Sequence, residues 1–348
     1  MKNVRKQGER IRNFILSTIQ NDPGKLTGKE VKDLVAKQFE IKTSSAGNHL
    51  RTLIKEGLVL ENKKRLTLKT DEMLKQEVEI TKDLEEDVIF QKYIFPHLTC
   101  ATPNAQNLIS TSFTEMVNNV IDHSEGTRLT IIMLESPIST IIQVSDNGIG
   151  IFKKIKNALG LTDERQSLLE LSKGKFTTDP ANHSGEGVFF TSRLCDKFFI
   201  VSNELVYGHE SDREMDYLIG NEELPKGGTH VVFEVKNHTT RTARSVYDQF
   251  STVDAPGFYK TIVPVKLAQF QNEGLVSRSQ AKRLLARVER FTHVILDFKG
   301  IDEIGQAFAD QIFRVFTREN PNITLTTKNT NETIDKMIAH VKNSALTS

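Results

Sequence analysis

The feature that most constrains this chain is a series of short polar and glycine motifs in a fixed order between residues 111 and 187. The first is Glu115 with Asn119, inside a stretch whose apolar residues recur at helical spacing. Thr102 followed by Pro103 is typical of a helix start, because Thr caps well and Pro lacks only a donor that the first turn does not need. Residues four apart share a helix face, so a carboxylate and an amide are predicted to point together out of the core.

Two glycine motifs follow this predicted helix. A run rich in β-branched residues ends at Asp146, with Gly148 and Gly150 directly after it, and Gly185 with Gly187 precedes a second helical stretch. Glycine lets a backbone approach a ligand closely, and free N–H groups at a helix start receive anionic oxygens. The sequence contains no Gly-x-x-x-x-Gly-Lys-[Ser/Thr] motif, so these glycines do not form a P-loop. Together the motifs predict a nucleotide site of another kind.

In this order the motifs resemble the GHKL family of ATP-binding proteins, which includes gyrase-type ATPases, histidine kinases and anti-sigma-factor serine kinases. The resemblance covers about residues 83–235. It implies a two-layer α/β sandwich that binds ATP and Mg²⁺. In the family's first motif the Glu, here Glu115, polarises water or a hydroxyl and is the implied catalytic residue. The Asn, here Asn119, holds the metal ion against the phosphates.

The later motifs have implied roles as well. The aspartate of Asp-x-Gly-x-Gly takes the adenine amino group, its glycines let the backbone approach the ring, and the second glycine pair receives the phosphates. A Gly-Thr before a strand commonly closes the site. The polar stretch 173–184 corresponds to the ATP lid, in which Lys173 or Lys175 either reaches the γ-phosphate or is only a solvated lysine. The cofactor-binding residues implied by the resemblance are Asn119, Asp146, Gly148, Gly150, Lys175, Gly185, Gly187 and Thr229.

The formal charge of +1 is unevenly distributed along the 348 residues. Residues 1–70 carry 16 Lys and Arg against 7 Asp and Glu, a net charge of +9, whereas the remainder carries 30 against 38, a net charge of −8. The N-terminal segment is therefore the predicted binder of a polyanion.

The same segment is predicted to form three helices and a hairpin. Its third helix, residues 44–56, has an apolar stripe opposite a polar and cationic one, and residues 61–65 form a basic hairpin tip. The pattern resembles winged-helix DNA-binding domains, including Leu-x-x-Leu-x-x-x-Gly-Leu-Val over residues 50–59. Winged helices also bind proteins, so that alternative stays open. The implied nucleic-acid contacts are Ser44, Asn48, Arg51, Lys55, Lys63, Lys64 and Arg65.

An α/β pattern returns beyond residue 260, with strand-like and helical stretches in alternation. Residues 294–301 resemble STAS-like domains, the fold of anti-sigma-factor antagonists. In those antagonists the loop and helix after the matching motif carry a phosphorylated Ser. Here the corresponding residues 305–308 contain no hydroxyl. The resemblance therefore implies a STAS-like fold, and a docking surface for a protein partner, without that phosphorylation switch.

The predicted fold class is a multidomain α/β protein made of a winged helix-turn-helix, a GHKL sandwich and a STAS-like domain. Two cysteines in 348 residues favour a reducing compartment, and no run of 18 apolar residues occurs, so we expect a soluble, cytoplasmic protein without a membrane segment. The predicted boundaries are 1–70 for the winged helix, 71–87 for a helical connector, 88–238 for the GHKL domain, 239–260 for a linker and 261–348 for the STAS-like domain.

The predicted function is an ATP-binding and ATP-hydrolysing regulator that binds DNA and is switched by nucleotide, with a role in transcription by association only. Two alternatives remain open: a protein serine kinase of the anti-sigma type, and a protein-interaction switch that binds ATP without turnover. Homodimerisation is left open, as are the DNA sequence and the signal.

Overall fold

The computed structural model describes residues 2–69, 72–81, 83–176, 185–211, 215–220, 227–251, 257–269 and 273–344. The helices in this part are α1 (Lys2–Asn21), α2 (Gly28–Phe39), α3 (Thr43–Lys55), α4 (Glu86–Ile89), α5 (Pro103–His123), α6 (Ile151–Leu159), α7 (Arg165–Lys173), α8 (Gly187–Leu194), α9 (Ala243–Phe250), α10 (Arg278–Leu285), α11 (Gln306–Asp310), α12 (Thr317–Glu319) and α13 (Glu332–Ser344). The strands are β1 (Val59–Asn62), β2 (Arg65–Leu68), β3 (Glu72–Glu79), β4 (Arg128–Glu135), β5 (Ser139–Asp146), β6 (Lys197–Ser202), β7 (Leu205–Glu210), β8 (Met215–Gly220), β9 (His230–Lys236), β10 (Lys260–Pro264), β11 (His293–Asp297) and β12 (Thr324–Lys328).

The chain divides into two compact units, and its mixture of helices and sheets confirms the predicted α/β class. The first unit comprises residues 1–146, 194–198 and 230–242, and the second comprises residues 147–193, 199–229 and 243–348. Across the part of the chain given above, no helix is long and apolar enough to cross a membrane.

The first unit begins with the predicted three helices and hairpin. Helix α2 starts with the predicted capping box: the Thr27 amide donates to Glu30 Oε2 at 2.7 Å, and the Glu30 amide donates to Thr27 Oγ1 at 3.3 Å. This reciprocal pair satisfies two backbone donors that a helix start otherwise leaves open. The three helices and the hairpin share a buried core of aliphatic side chains: Ile11, Ile15, Leu16, Ile19, Val31, Val35, Leu50, Leu53, Leu58, Val59 and Leu66.

The hairpin of β1 and β2 has a tight two-residue turn made of two lysines. Asn62 pairs with Arg65, and Lys63 and Lys64 between them have φ of 48° and 67°. Two consecutive positive φ values match the twist of a hairpin, but residues with a Cβ are strained there and Asn-Gly is the usual choice. The lysines therefore adopt an unfavoured backbone while their side chains extend into solvent.

The helical connector predicted for residues 71–87 is wrong, because its central part is strand β3. It pairs antiparallel with β4, with Leu74 opposite Met133 and Val78 opposite Leu129. Alternate side chains are half-buried, whereas those between them, such as Lys75, are exposed. This is a period of two rather than 3.6, so Leu74 and Val78 share one sheet face, whereas the exposed Glu77 and Met73 lie on the other. Only the end of the segment is helical, at α4.

A continuous antiparallel arrangement of β3, β4, β5 and β9, in that order, forms the sheet of the first unit. Helix α5 packs on β5 and β9. Its inward face is buried and apolar except for Ser112, and the strands beneath it contribute buried apolar residues that include Ile142, Val144 and Phe233. Burying each large aliphatic side chain contributes about 1.5 to 3 kcal/mol, so this layer fixes the rotation of α5 and the face it presents outward.

After β9, the chain contacts helix α1 through Thr240, next to a buried histidine. The Thr240 amide and hydroxyl both donate to Glu9 of α1, at 3.0 and 2.6 Å. Nearby His238 is 6% exposed, and neither of its ring nitrogens has a hydrogen-bond partner among the described residues. Burial, followed by the positive charge of Arg12, lowers the pKa of His238 to about 4.

We expect His238 to make the fold acid-sensitive. Because its folded pKa is about 4 and its unfolded value 6.5, the unfolded state binds the extra proton as pH falls below 6.5. Each unit of pKa shift is worth about 1.4 kcal/mol, so this group alone removes about 2 kcal/mol of stability between pH 6.5 and 5. Urea unfolding of the wild type and of His238→Leu at several pH values measures the difference. Parallel pH profiles of the two proteins would contradict the assignment.

The second unit contains an aromatic cluster to which part of the predicted linker, residues 239–260, contributes. Part of this segment is helix α9, and both Phe250 and Phe258 are buried. Phe258 packs on Phe189 of α8 at a ring-centroid distance of 4.6 Å and on Phe291 at 5.0 Å. The described part of the segment is therefore packed, and the linker prediction is wrong there. Residues 252–256 lie outside the described residues.

The C-terminal α/β pattern is present as a parallel sheet in the order β10-β11-β12. Helices α10, α11 and α13 pack together, and a π-helical turn over Gln311–Phe316 joins α11 to α12. Gly305, at the position matching the antagonists' phosphorylated region, donates its amide to Leu275 O at 2.8 Å. A Cβ on Gly305 would lie 2.8 Å from Val276 Cα. A side chain with a hydroxyl is therefore excluded there by close packing.

Candidate functional site

Helix α5 carries the first motif on a half-buried face. Its start is the predicted cap, because the Thr102 hydroxyl accepts a hydrogen bond from the Ala105 amide. Thr102 also donates through its amide and its hydroxyl to Asn237 O, at 2.9 and 2.8 Å, which ties the helix start to the end of β9. Met116, Val117 and Val120 are buried on the opposite face, whereas Glu115 and Asn119 are half-buried. The structure therefore brings the predicted carboxylate and amide onto one face.

The amide of Asn119 has a defined orientation. Its Nδ2 donates to the Glu115 carbonyl oxygen at 2.9 Å, so the side chain is held one helical turn from Glu115. Because the nitrogen is used in this hydrogen bond, the amide oxygen is turned away from the helix backbone. An amide oxygen is a hard ligand of the kind that Mg²⁺ prefers. The donor chemistry of this helix face therefore fits a magnesium ion.

Asp146 is the last residue of β5, as the sequence predicted, and is 7% exposed. It lies opposite Leu129 in the β4–β5 pair. A buried carboxylate at a strand end needs hydrogen-bond donors, since an uncompensated charge in such a place is strongly unfavourable. Asp146 is thus positioned by the sheet itself rather than by a flexible loop.

The loop after Asp146 is closely packed in the second unit. Gly150 has φ of +88°, and a Cβ there would lie 2.6 Å from Ser202 Oγ and 3.1 Å from Gly228 O. Both the backbone angle and the lack of space require glycine. The Gly228 amide donates to Gly148 O at 2.9 Å, so the structure brings the glycine loop and the Gly-Thr motif together.

Thr229, which the resemblance implies as a cofactor-binding residue, supports the loop through its side chain. Its hydroxyl, in a residue that is only 8% exposed, accepts a hydrogen bond from the Ile151 amide at 3.0 Å. It thereby satisfies the first free donor of α6, whose N-cap residue Gly150 has no side chain to do so. Thr229 holds the loop in place.

Two residues that sequence reasoning missed complete this loop support. Ser202 Oγ donates to Gly228 O at 2.7 Å, and Asn203 Oδ1 accepts from the Gly227 amide at 3.1 Å. Asn203 Nδ2 also donates to Glu164 at 3.3 Å. No local signal identifies them, except that Asn203, between two apolar stretches, is typical of a turn.

Replacing Gly150 with Ala is expected to destabilise the loop strongly. Positive φ with a Cβ costs about 1 to 3 kcal/mol, and the overlap with Ser202 adds to this. Gly160→Ala is a matched control, because Gly160 has φ of +60° but no atom lies within 4 Å of the place where its Cβ would be. We expect urea unfolding to give a larger loss for Gly150→Ala than for Gly160→Ala. Equal losses would show that the close packing at Gly150 contributes nothing.

The second glycine pair, Gly185 and Gly187, is the predicted phosphate motif, and it contacts the start of the predicted lid. The Phe176 amide donates to Gly185 O at 3.1 Å, and a Cβ on Gly185, whose φ is +72°, would lie 2.4 Å from Phe176 C. Gly185 is therefore required for two chain segments to approach. Gly187 is the first residue of α8, and its neighbour Glu186 accepts the first helical bond, from Phe190. Residues 177–184, the rest of the predicted lid, lie outside the described residues.

The two lid lysines have partners in the C-terminal part of the second unit. Lys173 is 1% exposed and forms an ion pair with Glu170 at 2.9 Å, so the prediction that it is either a phosphate ligand or a solvated lysine is wrong. Lys175 Nζ donates to Arg290 O at 3.1 Å and lies over the ring of Phe291. Its pKa is lowered by burial, against the opposing effect of Glu186. Lys175 is therefore held away from a freely solvated position.

The residues predicted to contact nucleic acid are exposed, and two of the arginines among them have hydrogen-bond partners within the protein. On α3 the side chains of Ser44, Asn48, Arg51 and Lys55 are all exposed on one stripe, as predicted. Arg51 donates to Asn48 Oδ1 and to Gly47 O, which holds its guanidinium along the stripe. Arg65 instead donates to Lys25 O and lies 3.9 Å from Glu30. Arg65 therefore stabilises the junction between hairpin and helix.

Comparison with known protein families supports the two α/β regions. Residues 104–239 match the model of the histidine kinase-, DNA gyrase B-, and HSP90-like ATPase. This range holds every residue predicted to contact ATP. The chain contains a GHKL-type ATPase domain. Residues 280–335 match the STAS-like domain of unknown function (DUF4325). No curated protein matches the chain.

The match to this family implies ATP binding and, at the coarse level, an ATPase or kinase activity. GHKL-type domains usually bind ATP together with Mg²⁺. The STAS-like match begins within α10 and ends within α13, so it covers the parallel strands β11 and β12.

Proposed function

We propose that this protein is an ATP-hydrolysing regulator that binds DNA through its N-terminal segment and is switched by nucleotide. The observation that carries the ATP part is the outward face of α5, where Asn119 is locked by its hydrogen bond to the Glu115 carbonyl. A carboxylate and an oriented amide oxygen on one rigid helix are what hydrolysis of a metal-bound triphosphate requires.

Each ATP-site residue has a distinct part in this proposal. The Asn119 amide oxygen holds the magnesium ion, which when bound neutralises charge on the phosphates. Glu115 accepts the proton of the attacking water as a general base. Asp146 accepts a hydrogen bond from the adenine amino group, and Gly148 and Gly150 keep the backbone next to the ring free of side chains. The amides of Gly187, at the start of α8, and of Gly185, two residues before it, receive phosphate oxygens.

The proposal for DNA rests on the charge and exposure of the N-terminal segment. It carries +9 in 70 residues, and the exposed stripe of α3 combines amide, hydroxyl and cationic groups that suit base edges and phosphates. The strained turn at Lys63 and Lys64 supports a role for their side chains, because a glycine there would fold more easily. We therefore assign α3 to the major groove and the hairpin tip to phosphate contacts.

Removing the two tip lysines is expected to weaken DNA binding and flatten its salt dependence. Each lost phosphate contact lowers the slope of log K against log salt by about 0.9, so Lys63→Ala with Lys64→Ala lowers it by about 2. The matched control is Lys29→Ala with Lys37→Ala, which removes two exposed charges from α2. Fluorescence anisotropy of the full chain with a duplex at several salt concentrations measures both. An unchanged slope would move the segment to the protein-binding class.

A second candidate function is a protein kinase that transfers the γ-phosphoryl group to a partner's hydroxyl. It is favoured by the presence of a STAS-like domain beside a GHKL-type domain in one chain. The phosphorylated region of the antagonists is replaced here by the tightly packed Gly305, so the acceptor would have to be another protein. Radiolabelled ATP separates the two functions: label released as inorganic phosphate supports hydrolysis, and label retained on a STAS-type partner supports transfer.

A further inference from the structure

A buried ion cluster lies at the end of α7, where the lid base, residues 173–176, begins. The Lys173 ammonium pairs with Glu170 Oε1 at 2.9 Å, and Arg287 pairs with Glu170 Oε2 at 3.1 Å. Lys173 is 1% exposed and Glu170 is 6% exposed. One carboxylate therefore joins a cation of the ATPase-type region to a cation of the C-terminal region.

The remaining donors of Lys173 also go to the C-terminal region. Its Nζ donates to Ala286 O at 2.7 Å and to Arg283 O at 3.2 Å, at the end of α10. With Glu170, these acceptors match the three N–H groups of the ammonium. The backbone is tied too, because Thr261 Oγ1 of β10 donates to Lys173 O at 2.7 Å. The end of α7 is thus fixed by its side chain and by its main chain.

The contacts continue along the residues that lead to the phosphate motif. A Cβ on Gly174, whose φ is +80°, would lie 2.5 Å from the ring of Phe258. Lys175 and Arg290 then exchange hydrogen bonds: Lys175 Nζ donates to Arg290 O at 3.1 Å, and Arg290 Nη1 donates to Lys175 O at 2.6 Å. The amide of the next residue, Phe176, donates a hydrogen bond to Gly185 O. Contacts of each residue from 173 to 176 therefore connect the ion cluster to Gly185 of the phosphate motif.

Hydrophobic packing alone does not account for this arrangement. Burial lowers the pKa of Lys173, and the Glu170 carboxylate opposes that effect. Taking such charges out of water is costly, and well-packed apolar side chains of similar volume often give an equally stable core. What an ion cluster adds is a fixed geometry, since each donor must meet one acceptor.

We propose that Glu170, Lys173 and Arg287 are positioning residues for nucleotide binding, through which the STAS-like region sets the lid base and the phosphate motif. The proposal rests on the ATP-binding function proposed above. Since a coupling between two sites is reciprocal, ATP also stabilises the hydrogen bonds of Lys173 to the end of α10. The STAS-like region is then an internal partner of residues 173–176, and loss of these contacts lowers ATP affinity.

The test uses Arg287→Met in the full chain. This change leaves the pair of Lys173 with Glu170 intact, so no buried charge loses its only partner and the protein folds. Arg278→Met is the matched control, because Arg278 lies on α10, close to Arg287 in the chain, but pairs with Asp310. Arg287→Lys keeps the charge and tests rescue. Calorimetric titration with Mg·ATP is expected to give a dissociation constant about 5- to 20-fold higher for Arg287→Met, a typical size for such a coupling.

Hydrogen exchange of the same proteins provides the second readout. ATP is expected to increase the protection of α10 amides in the wild type, in Arg278→Met and largely in Arg287→Lys, but not in Arg287→Met. Affinity and protection that are equal in Arg287→Met and the wild type overturn the positioning role while ATP binding stands. A wild-type protein that binds no ATP overturns the proposed function and this inference together, so the two failures are distinguished by the wild type alone.

Discussion

Glu115→Ala is expected to bind Mg·ATP with near wild-type affinity and to lose turnover by about 10² to 10⁴, the usual share of a positioned general base. The loss follows from its place on α5, one helical turn before an amide that is oriented by the helix itself. The carboxylate acts on the attacking oxygen and contributes little to ground-state binding. Phosphate release measures turnover, and calorimetric titration measures binding.

Asn119→Ala provides the contrasting result, because it removes the oxygen assigned to the metal ion. It is expected to lose the Mg²⁺-dependent part of ATP affinity, whereas Glu115→Ala retains that part. Asn118→Ala is the control, since Asn118 precedes Asn119 on α5 and is also half-buried. If Glu115→Ala and Asn119→Ala both bind and hydrolyse Mg·ATP like Asn118→Ala, the helix carries only a polar surface.

Asp146→Asn is expected to weaken ATP binding by about 10- to 150-fold. Loss of a hydrogen bond to a charged group costs about 1.5 to 3 kcal/mol, and each 1.4 kcal/mol is a factor of ten in affinity. The buried strand-end position of Asp146 makes the loss large, since water does not easily replace the missing partner. Titration of the wild type and the variant with ATP measures it.

Measuring GTP affinity as well as ATP affinity tests whether Asp146 recognises adenine in particular. Guanine lacks the amino group that the Asp146 carboxylate is proposed to accept from, so the preference for ATP over GTP is expected to shrink in Asp146→Asn. Thermal unfolding without nucleotide serves as the control for folding. An unchanged preference, in a variant that is folded, would contradict the adenine assignment even if the overall affinity fell.

Much of the structure of the first motif could be predicted from the sequence, because that structure depends on residues close together in the chain. Thr102, Pro103 and the apolar spacing of α5 predicted the helix start and the outward face of Glu115 and Asn119 correctly. The position of Asp146 at a strand end follows from the β-branched run before it. In both places the residue's neighbours in sequence are also the residues that determine its structure.

Prediction from the sequence was wrong or incomplete where the partner that determines a residue's structure is distant in the chain. Strand β3 has apolar residues compatible with a helix, and its pairing with β4, more than 50 residues later, decides the outcome. Lys173 resembled a lid lysine, yet its partners include the carbonyls of Arg283 and Ala286. The Thr229 hydroxyl supports a loop that precedes it by 78 residues. Such contacts are set by tertiary packing, which no local spacing predicts.

Titration of the full chain with ATP, in the presence and absence of Mg²⁺, shows whether the chain has a magnesium-dependent ATP site. We expect saturable binding to one site per chain, tighter with Mg²⁺, with that magnesium-dependent part missing in Asn119→Ala. Binding that is absent at millimolar ATP, or that neither depends on Mg²⁺ nor changes in Asn119→Ala, would contradict it.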